Sequence, residues 1–371
     1  LQPAAKANHH MADMDPETLT TPWRRDPAET TPALARWVAH TMGNGARVED
    51  VGEPGNGMSS ETVLFTVVLP SGERDRLVAR LAPMPDVYPV FQSYDLDLQR
   101  RCMDLVRERT TAPAPVCRYL ETDTAWLGTP FLVMERIDGE APADVPPYVF
   151  GGWVTDATAE QRDALVANSV EVLAQVHTID PTNADLTFIT GPPTRSSAMD
   201  AQLAGQREYY EWARDGVQYP LIEQTFAWLD AHRPPEPEPV LNWGDSRIGN
   251  MLYRDFAPVA VLDWEMATVG PREVDLAWMV FLHRFFQDLA QRFDMPGIDD
   301  FMTPEAVGAE YEARTGYSSH DLHWYEVYGA LRFAIVSVRT STRGMAYGQM
   351  EQPDDPDDLI MFRSLLTDMI S

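Results

Sequence analysis

The spacing of apolar residues changes near residue 138, and this change limits the chain to folds that combine a sheet with a separate group of helices. Before that point apolar residues form short runs bounded by turn residues, as strands do. Beyond it they recur every three to four residues, as in amphipathic helices. At 371 residues the chain is long enough for two packed units. The sequence predicts an α+β protein with a β-rich first lobe at 21–137 and a mainly helical second lobe at 138–371.

The first lobe is predicted to open with a helix. Thr31 is expected to be its N-cap, with Pro32 in the first helical position. The other predicted elements of this lobe are strands at 62–69, 77–81 and 131–134 and a helix at 96–109.

The second lobe follows a break in periodicity made by Asp138-Gly139 and the proline-rich stretch 142–147. Its helices are predicted at 159–177, 203–215, 221–231, 273–293, 304–315 and 322–342.

The charge of the chain limits its partners. There are 57 acidic and 29 basic residues, giving a formal net charge of −28. A surface of this sign disfavours a nucleic-acid partner. It attracts cationic substrates, although a simpler role in solubility is favoured.

Cysteine usage and hydropathy indicate the compartment. Cys102 and Cys117 form no metal or disulfide motif, which favours a reducing, cytoplasmic setting. No run of about 18 apolar residues is present, so no membrane partner is expected. Residues 1–20 are interpreted as a flexible tail or an expression remnant.

The segment 241–265 carries the polar residues that indicate chemistry. Two apolar runs flank Asp255-Phe256-Ala257-Pro258, whose composition is typical of a turn, so a β-hairpin is predicted. If the turn is centred between Phe256 and Ala257, Asn250 and Asp263 face each other with Cβ atoms about 4.5–5.5 Å apart. An amide oxygen and a carboxylate suit Mg²⁺, which also keeps nucleotide phosphates in its shell.

Two further residues on the loop before the hairpin are catalytic candidates. Asp245 precedes Asn250 by five positions, where a carboxylate can orient a substrate hydroxyl and accept its proton. Arg247 is predicted to contact the transferring oxygens, because charge compensation dominates phosphoryl transfer.

These residues resemble a known family. Asp245-x-x-x-x-Asn250 with Asp263 thirteen positions later resembles the catalytic loop and metal-binding Asp of protein kinases and of aminoglycoside phosphotransferases and choline-kinase-like enzymes. Leu262-Asp263-Trp264-Glu265 and Asp275-Leu276-Ala277 are similar to a bacterial branch related to kinase domains fused to acyl-CoA dehydrogenases. The likeness runs from about residue 51 to at least residue 285.

The resemblance implies a bilobal protein-kinase-like fold that binds ATP or GTP with Mg²⁺ and phosphorylates a hydroxyl of a small-molecule acceptor. A glycine-rich loop is implied to cover the phosphates, Arg80 to replace the kinase lysine, and the interlobe hinge to bind adenine through its backbone. The nucleotide-binding positions implied in this way are Met58, Ser59, Ser60, Arg80, Met134, Glu135 and Ile137.

Three departures from the family pattern stand out. Trp243 replaces the usual His, which removes a ring hydrogen-bonding position. Arg80 keeps the charge of lysine but has a different geometry. The partner Glu on the first-lobe helix is not evident, and Gln99 is nearest in register, with Asp97 or Glu108 as substitutes.

Other polar residues have simpler interpretations. His177 is predicted to be a packed helix-end residue, and Asp275 is expected from the resemblance to brace the catalytic loop. Glu265 shares a face with Asp263 and can support either the metal or its surroundings. The aromatic stripe Tyr209, Tyr210 and Trp212 is better explained by helix packing than by an acceptor pocket.

Two acceptor classes stay open, because the helices that form the acceptor pocket vary within such folds. The acidic balance suits an aminoglycoside-like polycation, whereas the similarity to the dehydrogenase-fused branch favours a hydroxyacyl-CoA or another hydroxylated metabolite. A nucleotide-binding pseudokinase or scaffold is a third alternative, suggested by the departures. Retention of Asp245, Asn250 and Asp263 argues against it.

Overall fold

The first lobe is built on a five-stranded antiparallel sheet. The computed structural model describes residues 22–52, 61–84, 87–191 and 197–371. The strands are Arg47–Gly52 (β1), Glu61–Val68 (β2), Arg74–Leu81 (β3), Cys117–Glu121 (β4) and Phe131–Glu135 (β5). Their order in the sheet is β1-β2-β3-β5-β4. The three predicted strands are therefore present as β2, β3 and β5, and the edge strands β1 and β4 are additional.

The helices of this lobe show how capping sets a boundary. Helix α1 spans Pro27–Thr41 rather than beginning at Pro32. The Asp26 side chain accepts a hydrogen bond from the Ala28 N–H at 2.8 Å, so the earlier Asp-Pro pair provides the start signal. Helix α2 spans Leu96–Arg109, as predicted.

Successive side chains of a strand point to opposite faces of the sheet, and both faces of this sheet are packed. Phe131 and Val133 of β5 belong to the cluster that contains Trp37 of α1. Leu132 and Met134, which point the other way, belong to a larger cluster that includes α2 and the helical lobe. The two lobes therefore share a continuous apolar core on one face of the sheet.

The second lobe is mainly helical. Its helices are Trp153–Asp156 (α3), Ala159–Val176 (α4), Thr187–Thr190 (α5), Ala198–Ala213 (α6), Pro220–Ala231 (α7), Glu273–Arg292 (α8), Pro304–Thr315 (α9), Leu322–Ala346 (α10) and Arg363–Met369 (α11). Its short strands are Val240–Asn242 (β6), Met251–Arg254 (β7), Ala257–Val261 (β8) and Thr268–Gly270 (β9). Strands β6 and β9 pair with each other, as do β7 and β8.

Most predicted helices of this lobe are confirmed, and the differences lie at their ends. Helix α6 begins at Ala198 instead of 203 because Ser197 and Asp200 form a capping box upstream. Helix α10 continues to Ala346, past the predicted end at 342.

The hairpin β7–β8 packs directly against the segment that joins the lobes. A Cβ atom at Gly139 would lie 2.8 Å from Val259 Cγ2 and 2.9 Å from Leu252 Cβ. A side chain at position 139 would therefore push the hairpin away from the hinge.

A second contact joins the lobes on the segment that follows β3. The Arg339 guanidinium of α10 lies 3.6 Å from the ring centroid of Tyr88 and 3.9 Å from that of Trp212. Its Nε donates to the Pro89 carbonyl at 2.7 Å. Desolvated cation–π contacts of this kind are stabilising.

The architecture is α+β and bilobal, with a β-rich first lobe against a mainly helical second lobe, as the resemblance implies. The boundary between residues 137 and 138 stays a prediction. Among the described residues, no helix has the length and apolar content needed to cross a membrane.

Candidate active site

The turn of the β7–β8 hairpin consists of Asp255 and Phe256. Both residues have positive φ, 50° and 62°, and Arg254 pairs with Ala257. Left-handed conformations at both turn positions match the twist of a two-residue hairpin. The predicted turn centre, between Phe256 and Ala257, is wrong by one position.

This shift and a β-bulge between Leu252 and Tyr253 together change the predicted pairing at the metal candidates. The Leu262 N–H donates to the Asn250 carbonyl at 2.9 Å, so Asn250 lies opposite Leu262. The predicted direct opposition of Asn250 and Asp263 is therefore wrong. The two residues are nevertheless kept at the same end of the hairpin, one position out of register.

Asn250 has its amide oxygen turned away from Asp245. Its Nδ2 donates to the Asp245 carboxylate at 2.7 Å and to the Asp245 carbonyl at 3.1 Å. The Oδ1 atom has no hydrogen-bond partner among the residues that the structure describes. The amide oxygen is therefore available to an external ligand.

Asp263 lies just beyond β8 in a left-handed conformation, with φ of 61°. Its side chain is 20% exposed, and Oδ1 accepts a hydrogen bond from Arg80 Nη2 at 2.6 Å. The carboxylate is thus held at the boundary between the lobes while part of it reaches the surface.

Asp245 has hydrogen bonds on both carboxylate oxygens. Trp278 Nε1 donates to Oδ1 at 2.8 Å, and Asn250 Nδ2 donates to Oδ2. The side chain retains 15% exposure. Asp245 is therefore oriented by two segments and still accessible to a small molecule.

Arg247 forms two ion pairs. Its Nη1 lies 2.6 Å from Asp144 Oδ2, and its Nε lies 3.3 Å from Asp245 Oδ1. Burial lowers the pKa of Arg247, but the charges of Asp144 and Asp245 outweigh it and raise the pKa above its usual range. A Cβ atom at Gly249 would lie 2.5 Å from Arg247 Nη1 and 2.9 Å from Asp144 Oδ1, so a side chain at position 249 would displace this ion pair. The predicted contact of Arg247 with transferring oxygens stays a prediction.

Arg80 of β3 reaches across to the segment after the hairpin. Its Nη2 donates to Asp263 at 2.6 Å and to Glu265 Oε2 at 2.9 Å. Burial lowers the pKa of Arg80, and the two carboxylates more than compensate, so the pKa is raised and the group stays charged. Its buried Nε has no partner among the described residues.

The loop before Asp245 is held by one buried carboxylate. Asp275 of α8 accepts hydrogen bonds from the Trp243 N–H at 2.7 Å and the Gly244 N–H at 2.9 Å. His177 Nε2 lies 3.1 Å from the same carboxylate, and His177 Nδ1 lies 2.8 Å from the Tyr311 hydroxyl. The predicted bracing role of Asp275 and packing role of His177 are thereby confirmed.

The ring of Trp243 forms hydrogen bonds in place of the histidine that is usual in the family. Its indole Nε1 donates to the Leu262 carbonyl at 2.9 Å and to the Asp263 carbonyl at 3.2 Å. The next residue, Gly244, has φ of +90°, and a Cβ atom there would lie 1.9 Å from the Met266 carbonyl oxygen. The expected loss of a ring hydrogen bond at position 243 does not occur.

Of the predicted hinge positions, Met134 and Glu135 are the last two residues of β5, and Ile137 lies just beyond it. Met134 is buried, and the Glu135 N–H donates to the Val116 carbonyl at 3.0 Å. The Ile137 N–H has no hydrogen-bond partner in the part of the chain that the structure describes. The positions Met58, Ser59 and Ser60 lie outside the described residues.

The aromatic stripe divides between two roles. Tyr210 is buried and packs against Tyr219 and Phe226, as predicted for a helix interface. Tyr209 stacks on Trp212 and donates its hydroxyl hydrogen to the Val90 carbonyl at 2.8 Å. The Tyr210 contacts therefore pack helices within the second lobe, and the Tyr209 bond joins the two lobes.

Sequence reasoning missed three residues of the site. Trp278 lies three residues after Asp275 and shares its helix face, a spacing that could have identified it. Arg332 stacks 4.3 Å from the Trp278 ring and donates to the Gly244 carbonyl at 2.8 Å. Asp144 lies in an irregular proline-rich stretch, where periodicity gives no signal.

The oxygen atoms of Asn250 and Asp263 suit a cation whose remaining ligands are phosphate and water. The described residues contain no group of three or more His, Cys, Asp or Glu side chains suited to a metal. The Asn250 amide oxygen and the Asp263 carboxylate are oxygen donors, which Mg²⁺ prefers, and Mg²⁺ needs few protein ligands when phosphates and waters complete its shell. These two side chains are therefore suited to a nucleotide-associated Mg²⁺.

A carboxylate oriented by two hydrogen bonds, next to an arginine paired across the junction of a β-rich and a helical lobe, is typical of kinase-like phosphotransferases. The chain belongs to the phosphotransferase enzyme family, whose sequence model matches residues 50–310.

The chain is similar to parts of several acyl-CoA dehydrogenase family proteins. It is 26% identical over 205 residues to mouse acyl-CoA dehydrogenase family member 10, which covers 55% of this chain and 18% of that protein. It is 28% identical over 168 residues to human acyl-CoA dehydrogenase family member 11, and the match covers 44% of this chain and 20% of that protein. It is 24% identical over 311 residues to the Arabidopsis thaliana acyl-CoA dehydrogenase IBR3, covering 79% and 36%. The chain thus spans about a third or less of the length of these relatives.

Solved structures share the fold across nearly the whole chain. The aminoglycoside phosphotransferase APH(4)-Ia, in a complex with ADP and hygromycin B, gives a TM-score of 0.56 at 14% identity and covers 91% of this chain and 98% of its own. Macrolide 2'-phosphotransferase MphH from Brachybacterium faecium gives a TM-score of 0.55 at 18% identity. The match covers 88% of this chain and 97% of that protein.

Proposed function

We propose that this chain is a small-molecule kinase that transfers the γ-phosphoryl group of ATP to a hydroxyl of its acceptor. Asp245 is the general base, and Asn250 and Asp263 hold Mg²⁺. The observation that carries the proposal is the Asn250 amide, which orients Asp245 through Nδ2 and leaves Oδ1 without a protein partner in the described chain. One side chain thereby links the base to the metal site.

Asp245 receives the proton of the acceptor hydroxyl. Both oxygens accept a hydrogen bond, yet the carboxylate keeps a lone pair on each oxygen and partial exposure. A carboxylate fixed in this way aligns the hydroxyl oxygen with the phosphorus atom, and alignment contributes most to a loose transition state.

The nucleotide occupies the cleft between the lobes. Bound Mg²⁺ would neutralise developing charge on the phosphate oxygens. The unpartnered Arg80 Nε and the Ile137 N–H are donors placed on the first-lobe side, where they suit phosphate and adenine respectively. ATP is proposed as the donor, with GTP as the alternative.

The acceptor is proposed to be either a hydroxyacyl-CoA or a related hydroxylated metabolite, or an aminoglycoside-like polycation. The relatives named acyl-CoA dehydrogenases favour the first class, and the net charge of −28 favours the second. Both classes present a hydroxyl to the same base.

A phosphate-transfer screen across hydroxyacyl-CoAs and aminoglycosides tests the proposal. Wild type should transfer phosphate from ATP to at least one acceptor, and Asp245→Asn should lower kcat by about 100-fold or more. Asp230→Asn is the matched control, since Asp230 is exposed and pairs with Arg207. Equal turnover by wild type and Asp245→Asn would remove the kinase mechanism, and nucleotide binding without transfer would favour a pseudokinase.

A further inference from the structure

Arg80 needs an anionic partner that the first-lobe helix does not supply. The residue of α2 nearest in register, Gln99, is neutral and buried, and its Nε2 has no partner among the described residues. Asp97, the nearest acidic substitute on α2, is bonded to Arg100 at 2.6 Å. A guanidinium buried without a counter-ion is strongly destabilising, so its partner must come from elsewhere.

Glu265 is that partner. Its Oε2 lies 2.9 Å from Arg80 Nη2, and the two side chains are 8% and 10% exposed. Hydrogen bonds between charged groups are among the strongest that proteins form, and burial reduces screening by solvent. The pair joins β3 of the first lobe to the segment after the hairpin of the second.

Asp263 contacts the same arginine nitrogen, but its position is different. The Asp263 side chain is 20% exposed, more than twice the value for Glu265. If Asp263 binds a cation, its charge is shared with that cation, and Glu265 remains to neutralise Arg80. Both carboxylates contact Nη2 and leave the Nε and Nη1 donors of Arg80 unused, and the buried Nε has no partner among the described residues.

We propose that Glu265 is a positioning residue that holds Arg80 for nucleotide phosphates, in place of a glutamate on the first-lobe helix. The inference rests on the proposed function and deepens it, because it assigns Glu265 to the nucleotide side of the site instead of to the metal. Its consequence is that the orientation of Arg80 depends on the metal-binding segment and not on the position of α2.

Calorimetric titration with ADP, in EDTA and again in Mg²⁺, distinguishes a positioning role from a metal-ligand role. Glu265→Gln should weaken ADP binding by roughly tenfold in both conditions, because the phosphate-binding arginine loses its support. The Mg²⁺ concentration that produces half of the change in ADP affinity should be the same in Glu265→Gln as in wild type. Unchanged ADP affinity in EDTA with a higher Mg²⁺ requirement would show that Glu265 is a metal ligand and would overturn the proposal.

A double-mutant cycle with Arg80→Met tests whether Glu265 acts through Arg80. Glu265→Gln should have almost no further effect on ADP affinity once Arg80 is replaced, and the two substitutions should also be non-additive in the free energy of unfolding. Additive effects in both measurements would contradict the proposal. Urea unfolding of each variant identifies any that fail to fold, and the unfolding cycle requires no nucleotide.

Glu326→Gln is the matched control. Glu326 is also a buried glutamate paired with an arginine, 3.3 Å from Arg284, but it lies on α10 facing α8. Its substitution should leave ADP affinity unchanged. Failure of phosphate transfer by wild type would refute the proposed function alone, whereas wild-type affinity for ADP in Glu265→Gln would refute this inference alone.

Discussion

Asp245 is restrained by donors that come from two different parts of the second lobe. The Trp278 indole of α8 fixes Oδ1, and the Asn250 amide fixes Oδ2. A carboxylate bonded on both oxygens cannot rotate freely, so it meets an incoming hydroxyl without further reorganisation. The ring of Trp278 is itself held against the Arg332 guanidinium.

Replacing Trp278 with Phe should therefore reduce catalysis without removing the base. The substitution keeps an aromatic ring but deletes the Nε1 donor, and one hydrogen bond to a charged group corresponds to roughly tenfold in kcat. The KM for ATP should change little, since Trp278 contacts Asp245 and not the first lobe. Steady-state kinetics on Trp278→Phe and on the control Trp228→Phe would check this, and an unchanged kcat in the first variant would contradict it.

His283 of α8 forms hydrogen bonds to two other segments near the site, one containing Tyr148 and one containing Ile298. Its Nε2 lies 3.1 Å from the Ile298 carbonyl, which can only accept, so Nε2 carries the proton. Its Nδ1 therefore accepts from the Tyr148 hydroxyl at 2.8 Å. Burial lowers the pKa of His283 to about 4 from its usual 6.5.

The free energy of unfolding should accordingly fall in acid. The unfolded chain binds a proton at this position below about pH 6.5, whereas the folded chain resists it until about pH 4. The stabilisation is complete above pH 6.5 and is lost as the pH falls towards 4, by about 3 kcal/mol. Urea unfolding at several pH values should show this loss in wild type relative to His283→Gln. If the free energy of unfolding of the two proteins changed with pH in parallel, the lowered pKa of His283 would be contradicted.

Elements with strong local signals could be predicted from the sequence, and those set by distant contacts could not. Helix α2 is predicted correctly because its apolar period is regular, and in the structure Asp95 caps its first turn. Strands β1 and β4 lie at the edges of the sheet and lack a clear alternation of buried and exposed residues, so they gave no signal. The predicted hairpin register is wrong because Phe256 adopts a left-handed conformation, which is unusual for a bulky residue, and because a β-bulge interrupts the pairing between Leu252 and Tyr253.

At the scale of the whole molecule, the candidate site exists only when both lobes are packed together. Arg80 belongs to the first lobe, whereas Asp263 and Glu265 belong to the second. The Arg339 contact with Tyr88 and the hinge hold the lobes on separate segments. If this is the proposed nucleotide site, its formation depends on the packing of the two lobes.

The same division explains which site residues the sequence could name. Asp245, Asn250 and Asp263 fall within one short motif, so their spacing identified them. The pairings of Trp278 with Asp245 and of Glu265 with Arg80 join residues far apart in the chain. Such contacts are set by the packing of elements, which spacing along the chain does not encode.

A crystal structure with Mg²⁺ and a non-hydrolysable ATP analogue tests the central claim most directly. The account predicts one cation bound by Asn250 Oδ1 and an Asp263 carboxylate oxygen at about 2.0–2.1 Å. The Asp245 carboxylate should face the γ-phosphate across the space for an acceptor hydroxyl. A cation held without Asn250 and Asp263, or a nucleotide bound outside the cleft between the lobes, would contradict the account.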